Sequence, residues 1–134
     1  MTNTKIPMSN KREKYTAEFQ LRSSPDLLYN YLATASGLTA WFADDVTVNG
    51  DVYTFMWDGS PERAQMIRKK PGKLVKFQWL DRDAEEYLTF EIELDELTRD
   101  VALMVTDFEN EDEIQEAKMV WQVSIDQLKS TIGG

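Results

Sequence analysis

The chain is predicted to be α+β, with an antiparallel sheet of about seven strands, a long C-terminal helix over its apolar face and two short helices between strands 1 and 2. Three observations predict it. Residues 110–132 carry one apolar stripe at helical spacing. For about sixty residues after Phe42, apolar and polar side chains alternate between turn-forming clusters. A proline-led helical pattern separates this region from an earlier alternating run. An antiparallel sheet of that size must cover its apolar face, and the terminal helix is the element long enough to do so.

Residues 1–10 lack periodicity and are expected to form a flexible leader, with a single domain over 11–134. Tyr15, Ala17, Phe19 and Leu21 alternate with Thr16, Glu18, Gln20 and Arg22, as in a half-buried strand. Ser24 is a good N-cap with Pro25 at the first helical position, and the helix should run through Leu28, Tyr31, Leu32 and Ala35 to Gly37. A second helical turn should carry Leu38, Trp41 and Phe42. Asn49-Gly50 joins a strand at 45–48 to one at 51–57, whose Tyr53, Phe55 and Trp57 share a face. Asp58-Gly59-Ser60-Pro61 turns the chain into a strand at 62–69, and Lys70-Pro71-Gly72-Lys73 turns it again. Val75, Phe77 and Trp79 then share a face, followed by an acidic loop at 80–85. Leu88, Phe90, Ile92 and Leu94 mark the next strand, and Val101, Leu103 and Val105 the last. In the terminal helix Asn110 is expected to cap, with Glu113 reaching back to the cap amide. Ile114, Ala117, Trp121, Ser124 or Ile125, Leu128 and Ile132 form its stripe, and Gly133 stops it.

With 134 residues, 42% of them hydrophobic, the chain is long enough for one sizeable core. Its 24 acidic and 15 basic residues give a net charge of −9, which disfavours nucleic acid and anionic lipid surfaces. No apolar run reaches membrane-span length, so a cytoplasmic location is expected. The chain has no histidine and no cysteine. That excludes Ser-His-Asp and Cys-His nucleophiles, thiol redox chemistry, disulfides and zinc held by nitrogen and sulfur.

The element order, Ser24-Pro25 at the first helix, GLTAWFADDV at 37–46, GDVYTFMWDG at 50–59, PGKLVKFQW at 71–79 and the VW…L spacing of the last helix resemble the START-like (SRPBCC) superfamily. Within it the chain is most similar to small bacterial members of the group named after the activator of the heat-shock chaperone ATPase. The resemblance implies a helix-grip fold, a curved sheet holding the C-terminal helix over a cavity for apolar molecules. It implies no particular reaction.

The aromatic set fits such a cavity, because four tryptophans are hard to close-pack around one helix and pockets are commonly aromatic-lined. Trp41, Phe42, Phe55, Trp57, Phe77, Trp79, Phe90, Trp121, Ile125 and Leu128 are the expected lining, with Trp121 facing Phe77, Trp79 or Phe90. A packed core is the competing explanation. Asp44 and Asp45 are adjacent on a strand and point to opposite faces, so they do not make an acid–base pair. The cluster Asp107, Glu109, Glu111, Asp112, Glu113 lacks the glycine of a calcium loop, and its last three members belong to the helix start. Arg68, Lys69, Lys70, Lys73 and Lys76 lie on a hairpin as solvated charges. The expected function is therefore non-catalytic binding of a hydrophobic or amphipathic small molecule, a lipid among them, with no cofactor and no metal. The alternatives are a co-chaperone-like module with a protein partner and, third, a cyclase- or hydrolase-type enzyme.

Overall fold

The computed structural model describes residues 12–133, and the expected leader lies outside them. In β1 (Arg12–Leu21), Tyr15, Phe19 and Leu21 are buried while Thr16, Glu18 and Gln20 are exposed, as the alternation requires. Helix α1 (Pro25–Ala33) starts where Ser24 Oγ accepts a hydrogen bond from the Leu27 amide at 3.2 Å.

The helix expected to reach Gly37 is interrupted at Thr34, whose backbone is extended. Its amide closes α1 on the Asn30 carbonyl, and its Oγ1 accepts from the Gly37 amide at 3.0 Å to start α2 (Ala35–Thr39). The second helix then folds back so closely that a Cβ on Gly37 would lie 2.3 Å from the Asn30 carbonyl oxygen. Glycine is the residue that permits this approach. Trp41 and Phe42, expected inside the second helix, follow it in a turn whose amides bond back to Leu38.

The remaining strands are β2 (Asp45–Asn49), β3 (Val52–Trp57), β4 (Ser60–Lys70), β5 (Leu74–Trp79), β6 (Tyr87–Leu94) and β7 (Val101–Asn110). They form one seven-stranded sheet in the order β1-β7-β6-β5-β4-β3-β2, antiparallel at every step. β4 carries a bulge at Ile67, where the register against β5 shifts.

Strand β7 runs five residues beyond Val105, the last position marked by aliphatic alternation. Its ladder with β6 ends at the Thr89–Thr106 pair, whereas its ladder with β1 continues to Arg12–Asn110. Residues 107–110 therefore pair on one side only, and a gap opens beside them.

The chain passes from β7 through a 3₁₀ turn (Glu111–Glu113) into α3 (Ile114–Ile132). This corrects the expected cap. Asn110 ends a strand, its amide bonds to Glu109 Oε1 at 2.8 Å, and its side chain rather than its amide reaches Glu113. Gly133, at φ 92°, closes α3 by donating to the Lys129 carbonyl.

The terminal helix buries Trp121, Ile125 and Leu128 in the same core as Phe55, Phe77 and Phe90, giving a helix-grip arrangement. Every indole N–H has an acceptor: Trp41 the Tyr31 carbonyl, Trp57 the Phe42 carbonyl, Trp79 Asp107 and Trp121 the Tyr15 hydroxyl. Tyr53 donates to the Ala33 carbonyl at 2.6 Å. These bonds remove the cost of burying polar tips and fix each ring in one orientation.

Candidate functional site

The gap beside the end of β7 is a cleft of about 320 Å³, open to solvent, between the sheet and the N-terminal half of α3. Its apolar wall consists of Phe42, Trp57, Trp79 and Trp121, with Ala117 and Val120 from α3. Trp121 stacks on Phe42 with centroids 5.6 Å apart, and Trp57 meets the edge of Phe42 at 5.2 Å. Trp121 also packs edge-on against Phe90 at 5.9 Å, beneath the cleft floor.

The opposite wall is ionisable. Strand parity carries the inward sequence Leu103, Val105 on to Asp107, a carboxylate in a position that alternation reserves for the core. Asp107 Oδ1 accepts from Trp79 Nε1 at 3.1 Å and lies 3.7 Å from an Arg82 guanidinium nitrogen. Burial raises its pKa to about 6, against the opposing pull of the Phe108 amide, Arg82, Trp79 and Arg12. Its partner across the β1–β7 ladder, Tyr15, is pushed up to about 12 by burial and by the Asp107 charge.

Arg82 lies over the Trp79 ring with its guanidinium carbon 4.1 Å from the centroid, and it bonds Glu62 at 2.7 Å. Arg12 forms a two-pronged bridge to the buried Glu86, both contacts at 3.0 Å, and reaches Glu109 at 3.1 Å. Gln78 fixes the loop that carries Arg82 and Glu86 by donating to the Ala84 and Glu86 carbonyls. The charged wall is thus braced from β1, β4, β5 and β7.

Of the ten residues expected to line a cavity, the structure brings Phe42, Trp57, Trp79 and Trp121 to the cleft. Phe55, Phe77, Phe90, Ile125 and Leu128 are instead fully buried in the core, and Trp41 is buried with them. Tyr15, Glu62, Arg82, Asp107 and Glu109, with Ala117, Val120 and Ser124 from α3, complete the lining and were not among the ten.

Other charged candidates have local roles. Asp44 accepts from the Asp58 amide and Asp45 from the Val46 amide. Lys76 stands over the Tyr87 ring at 4.3 Å. Among the described residues, no three acidic side chains are grouped to hold a metal ion, and no helix is long and apolar enough to cross a membrane.

A seven-stranded antiparallel sheet gripping a terminal helix defines the helix-grip class of α+β folds. The sequence profile of the START-like superfamily domain matches residues 8–134, so the chain belongs to that superfamily. Among solved structures, it is similar to a Bacteroides fragilis protein known by NMR, at 31% identity over 90% of this chain and 91% of that one, with a TM-score of 0.65. The Aha1 dimer from Colwellia psychrerythraea shares the fold at 20% identity, covering 90% of this chain and 96% of that one, with a TM-score of 0.75. So does a protein from the dynemicin biosynthetic locus, at 14% identity and a TM-score of 0.73, covering 87% of this chain and 46% of that one. No curated protein matches the chain.

Proposed function

We propose that the protein binds a small amphipathic molecule, without catalysing its conversion, in the cleft between the sheet and α3. One observation carries this: a single concave site has three indoles and a phenyl ring on one wall and a braced, partly buried carboxylate–guanidinium cluster on the other. An apolar body gains by covering the rings, and a polar head can reach the cluster without leaving it unsatisfied. A purely apolar ligand would bury the charged wall against nothing.

Filling the site tests the reading. Ala117, part of the α3 wall, is half-buried, and Ala117→Phe projects a ring into the cleft. In a titration with the neutral dye Nile red, the wild type is expected to saturate and the variant to lose at least about tenfold in affinity, with an unchanged circular dichroism spectrum. Equal dye binding by both proteins would remove the cleft as the site.

A second reading, a protein-interaction module, is favoured by Met119 and Val123, which are exposed to 69% and 70% on the outer side of α3. Sedimentation of the wild type and Val123→Lys tests its simplest form. Self-association lost in the variant would support it, and monomers in both would exclude a homodimer through this face.

A further inference from the structure

Resting on the amphipathic-ligand reading of the cleft, we infer that the ligand is an organic cation, a protonated or quaternary amine on an apolar body, with its ammonium against Asp107 and its body along the indoles.

The charges around the cleft do not cancel. Glu62, Glu86, Asp107 and Glu109 face Arg12 and Arg82, four carboxylates against two guanidiniums. Both guanidiniums are already committed. Arg12 is consumed by Glu86 and Glu109, and Arg82 by Glu62 at 2.7 Å, while its other terminal nitrogen is shared at longer range between Asp107 at 3.7 Å and Glu86 at 3.8 Å. An anionic head would therefore meet uncompensated carboxylates and no free cation of the cluster.

Asp107 is the under-served member. Its nearest cationic nitrogen stands 3.7 Å away, and its closest side-chain donor is the neutral indole of Trp79. An ammonium in the cleft would supply the missing charge in a site where burial strengthens it. The aromatic wall supplies the rest, since ring faces attract cations and, most of all, indole faces. Arg82 shows the arrangement in miniature, a cation above Trp79 ringed by three carboxylates.

Protons compete with such a ligand. Asp107 is faced by Arg12 and Tyr15 from β1, Glu62 from β4, Trp79 from β5, Arg82 and Glu86 from the loop that follows it, and Glu109 on its own strand, while α3 presents Ala117, Trp121 and Ser124. With its pKa raised to about 6, it is ionised at neutral pH and neutral in mild acid.

Calorimetric titration with three probes of one tail length, octyltrimethylammonium, 1-octanol and octanoate, tests the inference. At about pH 8 the ammonium is expected to bind at least about tenfold tighter than octanol, and octanoate more weakly than either. Asp107→Asn, or lowering the wild type to about pH 5, should each remove about tenfold from the ammonium affinity and leave octanol within about twofold. The pH series decides the matter by itself if the variant does not fold. Octanol equal to the ammonium, or octanoate tighter than both, would overturn the cation while leaving the amphipathic cleft. Failure of all three probes to bind would overturn both.

Discussion

Phe90→Ala is expected to lower the unfolding free energy by about 3–5 kcal/mol and to leave the affinity of a cleft probe nearly unchanged in the fraction that remains folded. Phe90 is fully buried, and its ring packs against Trp41, Phe42, Phe77 and Trp121 at centroid distances of 5.6 to 6.4 Å. Its removal opens a void that its neighbours, with the Trp41 and Trp121 indoles held by hydrogen bonds, cannot collapse into. Trp57→Ala should behave in the opposite way. That indole is half-buried and borders the cleft, so part of its surface already lacks partner atoms, and its truncation should cost roughly half as much. Its effect should fall on ligand affinity. Urea denaturation of both variants beside dye titration separates the two roles, and an equal stability loss for both would mean that the cleft wall is ordinary core.

The second large effect belongs to Asp107→Asn, which is expected to stabilise the protein at neutral pH by roughly 2 kcal/mol. The folded-state pKa of about 6 lies above the ordinary carboxylate value, so the native state holds the proton more tightly than the unfolded chain does. The stability contributed by that proton is full below about pH 4 and is lost as pH rises through about 6. Asparagine imitates the protonated carboxyl and keeps an acceptor for the Trp79 indole, so it escapes this loss. The stability difference between variant and wild type should therefore grow from about pH 4 to about pH 7 and then level off, as measured by thermal unfolding across that range. A difference that shrinks with rising pH would mean that Asp107 is held ionised by its neighbours as a structural ion pair.

Much of the fold was legible because it rests on periods of 2 and 3.6. The aromatic and aliphatic alternation of Phe55, Phe77 and Phe90 with their strand neighbours located the sheet, and the spacing of Trp121, Ile125 and Leu128 located the buried face of α3. Boundaries were less legible where a polar side chain rather than a period sets them. Thr34 divides α1 from α2 through its own hydroxyl, and nothing in the apolar spacing of Leu28, Leu32 and Leu38 announces the break.

The candidate site was legible on its apolar side and obscure on its charged side for a related reason. Alternation names large inward residues, so Phe42, Trp57, Trp79 and Trp121 were visible. It gives no weight to an inward acid. Val101, Leu103, Val105 and Asp107 share one parity, and continuing that parity past the last aliphatic residue would have placed Asp107 inside, opposite Tyr15. Its place within an acidic run invited comparison with a calcium loop instead. Arg82, held over Trp79 from a loop, and the Arg12–Glu86 bridge across 74 positions depend on tertiary geometry and have no local signal.

The four indole N–H resonances give the most direct test of a ligand-binding cleft, because each donates to a different acceptor and three of the four rings border the cleft. In a ¹H–¹⁵N spectrum recorded during titration with octyltrimethylammonium, and in parallel with 1-octanol, the Trp57, Trp79 and Trp121 signals are expected to shift progressively and saturate together. The signal of Trp41, which is not in the cleft lining and donates to the Tyr31 carbonyl, should move least. Saturable shifts confined to Trp41, or no shift at any indole with either probe, would contradict the assignment of this cleft as the binding site.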